Sequence, residues 1–133
     1  MSSVHYNLDY LQQVFQGNDA MVRRILDSFE EQVPRYLADM QERWRQGDWR
    51  NLHPLAHKAR SSISMLGMAV LLEDIQAIER ISRKGEGPED IGDRLDRAAA
   101  SLDLALSALR NERKDRGSVQ ERRSPTVRRL FRA

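Results

Sequence analysis

His57 is the residue in this sequence best placed to do chemistry. If the surrounding segment is helical, positions three and four apart share a face, and counting from His57 gathers His53, Arg60, Ser61 and Ser64. That face holds two imidazoles, a guanidinium and two small hydroxyls. The apolar residues of the same segment, Leu52, Ala56, Ala59, Ile63 and Leu66, fall on the opposite side. The pattern predicts an imidazole exposed to solvent on a rigid scaffold, with a fixed positive charge one turn further along. A neutral imidazole nitrogen is a nucleophile, and an ordinary ring with a pKa of about 6.5 is mostly neutral at pH 7. Arg60 can donate charge-assisted hydrogen bonds to the oxygens of an incoming phosphoryl group. Ser61 and Ser64 are small enough to let a partner protein approach the ring.

Other chemistries find less support. His53 and His57 have the spacing of a zinc-binding pair, but a zinc site needs a third ligand and that helix face has no Asp, Glu or Cys. No metal is therefore expected. No Gly-rich phosphate loop is present, no pair of carboxylates converges by spacing, and the absence of cysteine excludes thiolate chemistry and disulfides.

Five segments with helical periodicity must position this face, and none shows a sustained period of two. The first covers about residues 7–16, with Leu8, Leu11, Val14 and Phe15 in phase and Asn7 placed to cap it. The second, about 19–46, carries a stripe of Ile25, Phe29, Val33, Leu37, Met40 and Trp44. It contains Pro34, which should bend it rather than end it because the stripe stays in phase on both sides. The third, about 49–66, holds His57. Its Pro54 is awkward if Asp48 caps the helix and tolerated if Asn51 does. Gly67 ends it. A fourth, about 69–84, has Leu71, Leu72, Ile75 and Ile78. The turn Gly85-Glu86-Gly87-Pro88 opens a fifth, about 89–112, on Ile91, Leu95, Ala98, Leu102, Ala105 and Leu109. Trp44 and Trp49 read as packing at the bundle end. Of Met65 and Met68, one is expected in the core and one in an adaptable docking patch.

The expected fold is all-α: an antiparallel four-helix bundle with a short N-terminal helix as a lid and a disordered basic C-terminal tail. The bundle domain is assigned to residues 1–112 and the tail to 113–133. The division follows composition. Residues 110–133 hold nine Lys/Arg and three Asp/Glu, leaving 13 basic and 17 acidic residues for the rest, so a mildly acidic body joins a strongly basic end. The tail also has too few apolar residues to pack. No apolar run approaches the roughly 20 residues of a membrane span, and the first residues do not read as a secretory signal. A cytoplasmic protein is expected.

The segment Ala56-His57-Lys58-Ala59-Arg60-Ser61-Ser62-Ile63-Ser64-Met65-Leu66-Gly67 resembles the signature A-H-x-L-K-G-S-x-x-x-(L/I)-G of histidine-containing phosphotransfer (HPt) domains. Upstream, Phe29, Pro34 and Leu37 match the family pattern F-x4-P-x2-L; downstream, Leu72, Ile78 and Glu79 match L-x5-(L/I)-E. The resemblance covers about residues 7–109. It implies that His57 is the phosphoacceptor and that Arg60 stands where a lysine usually assists the phosphoryl group. It also implies that His53, Ser61, Ser64, Met65 and Met68 border the surface met by a partner. Ala59 replaces a larger buried residue, and Ser61 replaces the usual glycine.

The partners implied are receiver domains of hybrid histidine kinases and of response regulators. The protein would be a carrier and not an enzyme, with no cofactor of its own and with Mg²⁺ supplied on the receiver. No membrane or nucleic-acid partner is expected, and a monomer suffices. A rival reading makes the chain a helical adaptor that binds an acidic partner or nucleic acid through its basic tail.

Overall fold

The computed structural model describes the backbone of residues 5–123 and the side chains of residues 5–112. The described chain is helical, with α1 over Asp9–Val14, α2 over Asp19–Arg45, α3 over His53–Met65, α4 over Ala69–Lys84 and α5 over Ile91–Arg123. Helices α2 to α5 close a ring: α2 packs on α3, α3 on α4, α4 on α5, and α5 back on α2. Contacts between α3 and α4 pair His53 with Ser82 and His57 with Glu79, so these two run antiparallel.

Inside the ring lie the stripes that periodicity picks out, including Phe29, Val33, Leu37 and Met40 of α2 and Leu95, Ala98, Leu102, Ala105 and Leu109 of α5. Ile63, Leu66 and Ile78 are completely buried. Each such side chain contributes roughly 1.5–3 kcal/mol relative to an exposed one. Leu26, not Ile25, begins the buried stripe of α2, and Leu72 is only half-buried. Helix α2 continues across Pro34. Trp44 packs on the backbone of Gly92 and Trp49 approaches Gly85, which makes both bundle-end residues.

Two boundaries differ from the periodicity. The third helix begins at His53, because residues Trp49–Asn51 form a separate 3-10 turn. Neither Asp48 nor Asn51 caps α3; Leu52 holds that position, and Pro54 falls in the first turn, where no intrahelical donor is lost. Helix α5 continues to Arg123, so the disorder expected from residue 113 is corrected over 113–123. Extending a helix already nucleated fixes one residue per new hydrogen bond, and Glu, Arg, Lys and Gln, all good helix formers, dominate this stretch. The remainder of the expected tail, residues 124–133, lies outside the described residues.

The N-terminal segment straps one end of the bundle. Asn7 donates its backbone N–H to Leu66 O at 2.9 Å, and its side chain accepts from Asp9 N, serving the start of α1. Tyr6, Leu8 and Leu11 are buried, and the Tyr6 hydroxyl donates to Glu112 of α5. Gly67 permits this approach. Its φ is +63°, and a Cβ there would stand 2.7 Å from Asn7 O.

Candidate functional site

α3 turns its apolar stripe inward, as its spacing requires. Leu55, Ala56, Ala59 and Ile63 are buried, and His57 lies on the outer side with its side chain 61% exposed. What periodicity within α3 does not reveal is the residue beneath the ring. Glu79 of α4 is buried at 8% side-chain exposure and meets three donors. His57 Nδ1 lies 3.3 Å from Oε1, Arg60 Nη1 3.1 Å from Oε2, and Arg83 Nη2 3.4 Å from Oε1.

This cluster follows from a plain constraint. A carboxylate withdrawn from water needs donors in its place. Two guanidiniums and an imidazole supply them. An ionised carboxylate can only accept, so its contact with the ring puts the ring's proton on Nδ1. The other nitrogen, Nε2, then keeps its lone pair and lies on the side of the exposed ring away from the anchor. The geometry yields an oriented nitrogen nucleophile beside fixed positive charge.

The loop before α3 is held with equal care. Ser82, buried on α4, accepts from His53 N at 3.1 Å. Its hydroxyl lies 2.8 and 3.0 Å from the carbonyl oxygens of Trp49 and Arg50, one of which takes its single proton. The first turn of α3 is thereby registered against the same helix that carries Glu79.

The structure brings His57 and Arg60 together through Glu79. Ser61 and Ser64 are exposed on the same helix, and His53 and Met65 are half-buried. Met68 is corrected: at 1% exposure it belongs to the core, so it has no surface to give a partner. It follows the Gly67 turn and belongs to the same core cluster as Tyr6, Leu8 and Leu11.

Glu79 and Arg83 are the site residues that sequence reasoning missed. A signal was present, since Glu79 follows Ile75 by four and Leu72 by seven, a charge at a core position of an apolar stripe. Its place in the motif L-x5-(L/I)-E does not by itself say which residue it meets. Among the described residues, no group of three or more His, Cys, Asp or Glu side chains could hold a metal ion. Nor is any helix there long and apolar enough to cross a membrane.

An exposed imidazole whose Nδ1 meets a buried carboxylate, on a helical scaffold, is an arrangement able to offer a nitrogen nucleophile to another molecule. The comparison with protein families agrees: residues 24–112 match the Hpt domain model, and the chain belongs to that family. Hpt domains are phosphotransfer carriers of phosphorelays that interact with receiver domains. No curated protein and no solved structure matches the chain significantly.

Proposed function

We propose that this protein is a phosphorelay carrier whose phosphoacceptor is His57 Nε2. It takes the phosphoryl group from an aspartyl phosphate on the receiver domain of a hybrid histidine kinase and passes it to a response regulator in the cytoplasm. The observation that carries the reading is the contact of His57 Nδ1 with buried Glu79 beneath an otherwise exposed ring.

In the forward step the Nε2 lone pair forms the N–P bond as the aspartyl O–P bond breaks, and the receiver's carboxylate leaves. The proton on Nδ1 stays in place, so the phosphorylated ring is cationic and the Glu79 carboxylate stabilises the charge it gains. Arg60 lies one helical turn from the ring, within reach of phosphoryl oxygens. Its planar guanidinium can do the work of the lysine usual at this position while still holding Oε2. The receiver contributes its aspartate and a Mg²⁺ that offsets phosphoryl charge. This chain contributes the nucleophile, nearby cations and a docking face on which His53, Ser61, Ser64 and Met65 stand. Reversal needs the same groups, which suits a carrier.

Incubation with a phosphorylated receiver should label the protein with acid-labile, alkali-stable phosphate. His57→Gln should lose the label completely and keep its helicity. Retention of the label by that variant would overturn the assignment.

A further inference from the structure

Two donors converge on one oxygen of Glu79. Oε1 lies 3.3 Å from His57 Nδ1 and 3.4 Å from Arg83 Nη2, whereas Oε2 takes Arg60 Nη1 at 3.1 Å. Arg83 makes the longest of the three contacts, and its side chain is 63% exposed against 42% for Arg60. Arg83 is the exposed half of its pair, and Glu79 keeps His57 and Arg60 as donors without it, so little opposes the exchange. One carboxylate facing two guanidiniums also leaves the resting site with surplus positive charge.

Phosphorylation changes both sides of this arrangement. The group on Nε2 brings up to about two negative charges and three acceptor oxygens. The ring becomes a cation, and its Nδ1–H then makes a stronger claim on Oε1. We propose that Arg83 is a second phosphoryl ligand held in reserve on Glu79. When His57 is phosphorylated, the Arg83 guanidinium leaves Oε1 for a phosphoryl oxygen, while Arg60 continues to hold Oε2. No covalent bond is made or broken in the exchange. Arg83 shares an oxygen with the ring, so a pivot of its long side chain is enough.

The same movement makes phosphorylation visible at the protein surface. Arg83 lies in the last turn of α4. A receiver that docks over His57 meets a guanidinium turned toward the phosphoryl group in one state and toward Glu79 in the other.

This inference rests on His57 being the phosphoacceptor, and the test separates the two. The full chain is phosphorylated with potassium phosphoramidate, and the phosphohistidine ³¹P resonance is titrated with pH. A guanidinium on the phosphoryl group favours its dianion, so Arg83→Gln should raise the phosphoryl pKa by about half a unit, roughly threefold in proton affinity. Arg83→Lys should recover most of the shift, because the charge returns. Arg97→Gln, on α5, where the guanidinium pairs with Asp74 of α4 at 3.2 Å and meets no atom of Glu79, should titrate like the wild type. Coincident titrations for wild type and Arg83→Gln overturn the proposal, as does an equal shift in Arg97→Gln. If the wild type gives no phosphohistidine resonance, or His57→Gln keeps it, the phosphoacceptor assignment falls and the exchange falls with it.

Discussion

Helix α4 carries two buried carboxylates, Asp74 and Glu79, that look alike by burial and differ in what they do. Asp74 faces α5. Its Oδ1 takes Arg94 Nη1 at 3.1 Å and Arg97 Nη2 at 3.2 Å, and Arg94 also reaches Asp90 through Nε at 3.1 Å. Arg94 is held above the ordinary guanidinium pKa, first by its hydrogen bond to Asp90 and further by Asp74. Every partner of that carboxylate shown here is permanently charged, and none is a nucleophile. Glu79 faces α3, and its partners include an imidazole, which in the proposed transfer would gain charge. The physics of burial is shared; the chemistry of the partner separates a latch between helices from the proposed phosphotransfer site.

Partner exposure separates them too. Arg94 is 21% exposed and keeps Asp90 on its Nε, so removing Asp74 leaves only the Nη1 end of a half-withdrawn guanidinium without its carboxylate. The partners of Glu79 are 42–63% exposed and can rehydrate in place. Asp74→Ala should therefore be the more destabilising change, costing about 2 kcal/mol in urea unfolding. Where it remains folded, it should still be labelled by phosphoramidate at the wild-type rate. A loss under 1 kcal/mol would erase the distinction between latch and site.

Glu79→Ala should reverse the pattern. Labelling of His57 should slow about tenfold, equivalent to about 1.4 kcal/mol, because the ring loses both its fixed tautomer and compensation for its new charge. Stability should fall by only about 1 kcal/mol. Wild-type labelling kinetics in this variant would assign Glu79 to structure alone.

The smallest effect is expected at Arg97, the more exposed partner of Asp74 at 58%. Arg97→Gln should cost about 0.5 kcal/mol, since Arg94 still satisfies the carboxylate, and should leave labelling unchanged. It is the counterpart of Arg83→Gln: each removes an exposed guanidinium from a buried carboxylate, yet only the change at Arg83 should be felt at the phosphoryl group.

Much of the scaffold was legible in single segments. Ala56, Ala59, Ile63 and Leu66 repeat at helical spacing and are buried, so the exposure of His57 followed from their phase. The end of α3 was marked by Gly67, although its close approach to Asn7 was not. The start of α3 was less legible, because Asp48 and Asn51 are both good caps by type. The structure uses neither for α3: Asp48 precedes, and Asn51 ends, a separate 3-10 turn ahead of the helix. The end of α5 escaped for a different reason. The apolar stripe reports only where a helix packs, and a helix rich in Arg, Glu and Lys can continue past its packed portion.

By itself, the sequence determined which side of each helix is apolar, that His57 and Arg60 share an outer face, and that His57 sits within an HPt motif. These are properties of one segment at a time, set by 3.6 residues per turn. Only the tertiary structure decided that the outer face of α3 rests on Glu79 of α4, and that this carboxylate also gathers Arg83. Periodicity assigns faces within a helix. Which faces meet, and so which nitrogen of His57 is anchored on Glu79 and which is turned away from it, depends on how α3 and α4 pack.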